Sequence, residues 1–285
     1  MTDGKIFVIT GATSGIGYEA ASKIANLGGI VIGIGSSAKS CRDAELKLNR
    51  LSLPGDIRLL ACDLSDQDEV RALGRLLAKE YPAIDVLVNN AGTFLVRRTL
   101  SKQGIEKTFA VNYLSHYLLT RLLIGNLKKA SPSRVLNVSS VAYKGANIDT
   151  ADLSLNDSYT GWKAYSRTKL AMILFTRFLD KKLKDTDITV NSLHPGVIGT
   201  NLFSKNSWVG PFLTAGLKLV GKSPEKGAET LVYLATSEEV NGCSGGYYVN
   251  SRLEDLLDNA RGESLAQDLW DVSADLCNIP TDLSP

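Results

Sequence analysis

The sequence predicts an α/β fold: a single domain over residues 1–279, built on a doubly wound parallel sheet of seven strands with helices on both faces, and a short tail at 280–285. Three observations predict it. Short apolar runs alternate with helical stretches along the chain, with no internal repeat and no low-complexity segment. A glycine-rich turn stands between the first apolar run and the first helical stretch. The 285 residues, 44% hydrophobic and 22% charged, are enough for one large core.

The elements follow in order. Lys5-Ile-Phe-Val-Ile-Thr10 reads as a buried strand over 5–10, and Gly11-Ala-Thr13-Ser14-Gly15-Ile16-Gly17 leads into a helix from Tyr18 to Leu27. Glycines there permit a tight turn and let the backbone approach a pyrophosphate, which would meet the free N–H groups and partial positive charge of the helix start. Three residues separate the first two glycines, so the spacing is not that of the common GxGxxG fingerprint. Further strands are expected near 30–35, 57–61, 84–88, 134–138, 188–193 and 246–249, with helices between them. Right-handed crossovers then place a ligand crevice at the carboxyl ends of the strands. Asp63, after the third strand, can accept a hydrogen bond from an adenine amino group or cap the helix from Gln67, although Asp66 is the better cap. Asn89-Asn90-Ala91-Gly92, after the fourth, is either a plain turn or a place where backbone passes close to a ribose. Asn112 lies in a helical stretch from Phe109 to Leu123, where asparagine is a weak helix former. It is either an ordinary polar helix residue or one that uses a local backbone kink. His194-Pro195-Gly196 follows the sixth strand, and Pro224 marks a helix start.

The chemistry concentrates in Tyr165-Ser-Arg-Thr-Lys169. Residues four apart share one helix face, so the phenol and the ammonium can reach the same ligand. A tyrosine, with an ordinary pKa of about 10, needs a nearby cation to serve as acid or base near neutral pH. Thr10-Gly11-x-x-x-Gly15-x-Gly17, Asn89-Asn90-Ala91-Gly92, Asn112, Ser140, the Tyr165/Lys169 pair and His194-Pro195-Gly196 with Thr200 together resemble the short-chain dehydrogenase/reductase family, over residues 1 to about 279. The long gap between Ser140 and Tyr165, the stretch Lys169 to Thr176, His194-Pro-Gly-Val197 and the segments Ser244 to Tyr248 and Leu269 to Ser273 resemble its retinol-dehydrogenase-like branch.

The resemblance implies a Rossmann sheet and a nicotinamide cofactor. Ser140, rather than Ser139, would hydrogen-bond the substrate oxygen. Tyr165 would move the proton, and Lys169 would lower its pKa and hold the nicotinamide ribose. Asn112 would hold a water that connects Lys169 to solvent. Cofactor contacts would fall to Gly11, Thr13, Ser14, Gly15, Ile16 and Gly17 at the phosphates, Asp63 and Leu64 at the adenine, and Asn90, Ala91 and Gly92 at the ribose. Pro195, Gly196, Val197, Ile198 and Thr200 would meet the carboxamide, while His194 reads as packing. At the end of the second strand, Gly35 stands where an NAD site places an acidic side chain. The branch usually has an arginine at the position of Ser36. Ser36, Ser37 and Lys39 or Arg42 could still read a 2′-phosphate, so NADP(H) is expected in preference to NAD(H).

The segment 200–223 is apolar, with Phe203, Trp208, Phe212 and Leu217 among its residues; it reads as a substrate lid, as packing or a subunit contact, or as a segment that dips into a membrane. Tyr143, Tyr159 and Trp162 are placed to line the opposite wall. The expected reaction is reduction of a ketone or aldehyde, reversibly alcohol oxidation, on a retinoid-, steroid- or polyketide-like apolar molecule. Reduction of a C=C or C=N bond on the same site, or a non-catalytic NADP(H)-binding role, are the alternatives. A formal net charge of +2 with interspersed signs argues against a nucleic-acid partner. Four cysteines without metal spacing and only two histidines argue against a metal site. The first strand begins close to Met1, so no transmembrane segment and a cytoplasmic address are expected. The stretches Tyr113 to Lys129 and Trp162 to Lys184 are apolar on more than one face, which suggests a two-fold homodimer.

Overall fold

Phe7, Val8 and Ile9 of strand β1 (Ile6–Thr10) are all fully buried, as expected of a strand covered on both faces. The computed structural model describes residues 2–196 and 223–283. β1 lies beside β2 (Ile30–Gly35), which pairs with β3 (Ile57–Ala61). On its other side follow β4 (Val86–Asn89), β5 (Ser133–Val138), β6 (Ile188–His194) and β7 (Tyr247–Val249). The order is β3-β2-β1-β4-β5-β6-β7, parallel throughout, so the strand order reverses between β1 and β4. All seven expected strands are present near their expected bounds.

An eighth strand, β8 (Arg252–Leu253), was not expected. It pairs antiparallel with β7 across a two-residue turn, Asn250-Ser251, whose φ values of 50° and 60° are both left-handed, as in hairpin turns that match strand twist. Both β8 residues are exposed, so no apolar alternation announces it.

Helices α1 (Gly15–Asn26) and α2 (Ala38–Asn49) pack on one face of the sheet. The other face carries α3 (Gln67–Glu80), the short α4 (Lys107–Phe109), α5 (Ser115–Lys129) and α6 (Gly161–Lys182). α7 (Pro224–Thr236) joins the first face and α8 (Glu263–Leu276) the second. Their starts are legible: Asp66, Thr160 and Ser223 each accept a backbone N–H in the first turn, and Pro224 needs no N–H there.

The helix faces assigned to a second subunit are covered within the chain. Leu118, Leu119 and Leu123 of α5 and Leu170, Ile173 and Leu174 of α6 are fully buried. Leu122 packs against Gly74 of α3. Trp270 of α8, 1% exposed, lies 5.0 Å from the Tyr117 ring and 5.1 Å from that of Phe178. The tail at 280–283 is fastened there too, since Arg121 donates to the Pro280 carbonyl at 2.7 Å and the Trp270 indole to that of Thr281 at 2.8 Å. The apolar residues that suggested a two-fold contact through these helices are thus accounted for by packing within the chain. Among the described residues, no helix is long and apolar enough to cross a membrane, and no group of side chains is arranged to hold a metal.

Candidate active site

The turn after β1 is built to approach something closely. Gly11 and Gly15 adopt φ of 71° and 58°. A Cβ at Gly17 would meet the Gly11 carbonyl oxygen at 2.3 Å and Asn90 Nδ2 at 2.5 Å, so glycine is required there for packing. Thr10 Oγ1 accepts from the backbone N–H of Asn90 (2.8 Å) and Ala91 (2.9 Å), and Asn90 Nδ2 returns a bond to the Thr10 carbonyl at 2.7 Å. The turn and the Asn89–Gly92 loop thus form one unit at the β1/β4 switch point. Ser14, exposed, precedes α1 without bonding its side chain to the helix, and no acid occupies the first turn. The helix start keeps its N–H groups and positive dipole for an external anion, which fits a dinucleotide pyrophosphate.

Beside it, Gly35 is buried, and a Cβ there would meet Thr13 Cγ2 at 2.4 Å and Cys41 Sγ at 2.6 Å. Packing therefore requires glycine, and no side chain can occupy the place of an acid. Ser36, Ser37 and Lys39 are exposed at the start of α2; Ser37 accepts from Ser40 N as its cap, and Lys39 pairs with Asp43 at 2.7 Å. Arg42 is exposed on the same turn. Asp63 does not cap α3. Its Oδ1 accepts from the Ser65 N–H and hydroxyl, and Asp66 is the cap. The Leu64 side chain is turned into the core, which leaves only its backbone for a ligand.

Asn112 sits in a π-helical turn, Ala110–Leu114, between α4 and α5. One extra residue in the turn breaks the α-helical ladder, as the kink reading anticipated. Its side chain is largely occupied: Oδ1 accepts from Thr93 N at 2.7 Å, and Nδ2 donates to the Thr93 carbonyl at 2.9 Å and to Thr168 Oγ1 at 3.2 Å. Asn112 thereby ties the π-turn to the Gly92 loop and to the residue before Lys169. Ser140 and its neighbour separate cleanly. Ser139 is buried and donates to the Lys169 carbonyl at 2.7 Å, whereas Ser140 is partly exposed at the start of a short 3-10 turn.

Tyr165 and Lys169 lie one turn apart on α6. The Tyr165 ring is flanked by Phe94, centroids 5.8 Å apart, and by Trp162 at 6.4 Å. Burial pushes its phenol up to about 12, opposed by a hydrogen bond with Ser140. Lys169 is 4% exposed, its Nζ donates to the Val138 carbonyl at 2.9 Å, and burial brings it down to about 8. The ammonium lies 5.4 Å from the Tyr165 ring centroid, yet it is not among the groups that hold the phenol down. In the chain alone, desolvation dominates both groups. Lys169 Nζ and Asn112 Oδ1 would lie 3.9 and 3.7 Å from a Cβ at Gly92, so they share one small space.

These residues stand at the carboxyl ends of β1, β4 and β5 and on α6 beside them. The sequence model of the short chain dehydrogenases matches residues 5–208. The chain belongs to that family. Mouse retinol dehydrogenase 14 is 41% identical, with 97% of this chain and 86% of the relative covered, which places the chain in the retinol-dehydrogenase-like branch. A solved structure of an uncharacterised protein from Mycobacterium paratuberculosis superposes with a TM-score of 0.78 at 26% identity, covering 99% of this chain and 96% of that one. RhlG of Pseudomonas aeruginosa, solved as an NADP active-site complex, gives a TM-score of 0.67 at 25% identity over 86% of this chain and 94% of its own. The protein is accordingly a nicotinamide-dependent oxidoreductase of the alcohol/carbonyl pair. Val197, Ile198, Thr200 and the apolar segment 202–222 lie outside the described residues, whereas Pro195 and Gly196, with φ 94°, follow β6 directly.

Sequence reasoning passed over Thr93, which answers Asn112, and His116, which bonds both Thr10 and the Asn112 carbonyl. His116 stands four residues after Asn112, on the same helix face, and that spacing was the available signal. Glu106 and Arg167, a buried ion pair behind the site, carry no motif at all.

Proposed function

We propose that the chain is an NADPH-dependent reductase of ketone or aldehyde carbonyls in fairly large apolar molecules, working reversibly as an alcohol dehydrogenase. The observation that carries the reading is Tyr165, partly exposed, hydrogen-bonded to Ser140 and one turn from a buried Lys169. With its pKa raised, the phenol is protonated at neutral pH, which suits a proton donor to a carbonyl oxygen that is gaining negative charge. Ser140 holds that oxygen, and Lys169 holds the ribose hydroxyls. Asn112 keeps Lys169 and the Gly92 loop in register. The nicotinamide supplies the hydride. Gly11, Thr13, Ser14, Gly15, Ile16 and Gly17 bind the phosphates, Asp63 and Leu64 the adenine, Asn90 to Gly92 the ribose, and Pro195 and Gly196, with Val197, Ile198 and Thr200, the carboxamide.

NADP(H) preference is supported by the packing that excludes an acid at Gly35 and by the donors Ser36, Ser37 and Lys39 or Arg42 nearby. RhlG, at the fold level, accommodates NADP. An apolar substrate is supported by Phe94 and Trp162 on either side of Tyr165, with Val141 also exposed beside Ser140 and by relatives named for retinol. The test is turnover of NADPH with a panel of ketones and aldehydes, alongside enones and imines. Tyr165→Phe is expected to lose at least about two orders of magnitude in turnover while NADPH affinity changes little. Near-normal turnover in the variant, or activity confined to enones or imines, would overturn the proposal.

A further inference from the structure

His116 is 1% exposed, and both its ring nitrogens are engaged. Nε2 lies 3.0 Å from Thr10 Oγ1, and Nδ1 lies 3.1 Å from the Asn112 carbonyl oxygen. The hydrogen-bond network decides where the ring proton sits. Thr10 Oγ1 already accepts from two backbone N–H groups, those of Asn90 and Ala91, which uses both its lone pairs. An Nε2–H would have to donate to an oxygen with no acceptor capacity left. A bare Nδ1 would then face the lone pairs of the Asn112 carbonyl. With the proton on Nδ1 both conflicts vanish: Nδ1–H donates to Asn112, and the Thr10 hydroxyl, which has the Val88 carbonyl at 3.3 Å as its other acceptor, donates to the nearer Nε2 at 3.0 Å.

We propose that His116, as this Nδ1–H tautomer, is a positioning residue that joins the cofactor turn at Thr10 to the main-chain carbonyl of Asn112 in the π-turn. The proposal rests on the reading of Asn112, Tyr165 and Lys169 as the working site. Two functions meet at one ring. Through Thr10 the imidazole faces the Asn90–Ala91 backbone, which belongs to the cofactor side. Through Asn112 it faces the π-turn, whose side chain reaches Thr168 and shares with Lys169 the space beside Gly92. The ring stays neutral in use. Burial brings its pKa down to about 3, with the Asn112 carbonyl opposing and the Lys169 charge adding to the fall. Its role is therefore geometric and does not involve proton exchange.

The two ends can be cut separately. His116→Asn carries an amide donor at the reach of Nδ1 and keeps the Asn112 bond, but it gives up the acceptor for Thr10. His116→Gln reaches as far as Nε2 and keeps an acceptor for Thr10, but it gives up the donor to Asn112. His116→Asn is expected to weaken NADPH binding, read by fluorescence quenching, about tenfold, with kcat within about twofold of the parent. His116→Gln is expected to lower kcat about tenfold with the NADPH Kd within about twofold. Equal effects of the two variants on both quantities, or none on either, would overturn the proposal. Tyr165→Phe, measured beside them, separates the two readings: if it stays active, the proposed function fails whatever His116 does. A variant-free measurement stands behind these. With only two histidines in the chain, long-range 15N–1H correlation of the wild-type imidazoles is expected to show the His116 proton on Nδ1, and a proton on Nε2 would refute the wiring.

Discussion

Replacing Arg167 with methionine tests how the catalytic helix is held to the turn that carries Asn112. Arg167 stands between Tyr165 and Lys169 in sequence, but it faces the opposite way. Its side chain is 2% exposed and that of its partner Glu106 is fully buried, with Nη2 and Oε2 3.3 Å apart. The Glu106 carboxylate also accepts the backbone N–H groups of Thr108 at 2.8 Å and Phe109 at 2.9 Å, so it caps the run that enters the π-turn. Arg167 adds a bond to the Asp152 carbonyl at 3.2 Å and lies 5.2 Å from the Phe109 ring centroid. Arg167→Met keeps most of the apolar volume and leaves Glu106 buried without its counter-charge. Breaking such a pair costs about 3–5 kcal/mol, and the two surviving N–H donors favour the low end, about 3 kcal/mol. At roughly 2 °C per kcal/mol for a chain of this length, the melting temperature should fall by about 6 °C. Urea unfolding followed by circular dichroism measures the loss. The double variant Arg167→Met with Glu106→Gln removes the stranded charge and should recover most of it. A loss below about 1 kcal/mol in the single variant, or no recovery in the double, would refute the account of the pair.

Coenzyme choice is best tested at Ser36, since the Cβ at Gly35 has no room. Ser36→Asp should swing the ratio of kcat/KM for NADPH over NADH toward NADH by at least about tenfold, and a wild-type ratio favouring NADH would contradict the reading of the β2 end. The pH dependence follows from Lys169. Burial brings its ammonium to about 8, so the free protein loses that charge as pH rises through this value, and kcat/KM for NADPH should fall above about pH 8. The limb should vanish in Lys169→Met, and its persistence there would assign it to another group. Trp270→Ala removes the largest side chain covering α5 and α6 and should cost about 3–5 kcal/mol. Because α8 and the tail cover residues of α5 and α6, light scattering at micromolar concentration is expected to give the mass of a single chain, and a dimer mass would contradict that expectation.

Periodicity and turn chemistry announced the parallel strands, because a strand buried on both faces must be continuously apolar over a few residues, as β1 and β2 are. Motif spacing announced Tyr165, Lys169 and the glycine turn, because helix geometry and close backbone approach constrain residue type locally, whereas the choice of Ser140 over Ser139 came from the family resemblance. β8 escaped because its two exposed residues carry no pattern and its pairing is made by the backbone.

What the sequence by itself determined is the fold class, the family and the residues gathered at the strand ends, since these depend on local spacing and on which side chains tolerate burial. Tertiary structure alone decided the rest. That desolvation raises Tyr165 and lowers Lys169 depends on what surrounds them in three dimensions. That α8 and the tail cover α5 and α6 follows from packing between segments about 150 residues apart in sequence, as in the Trp270 contact with Tyr117 and the Arg121 bond to Pro280. That His116 joins Thr10 to Asn112 depends on a strand end and a helix turn 106 residues apart meeting in the crevice, and no local pattern encodes such a meeting because it is the sheet order that brings them together.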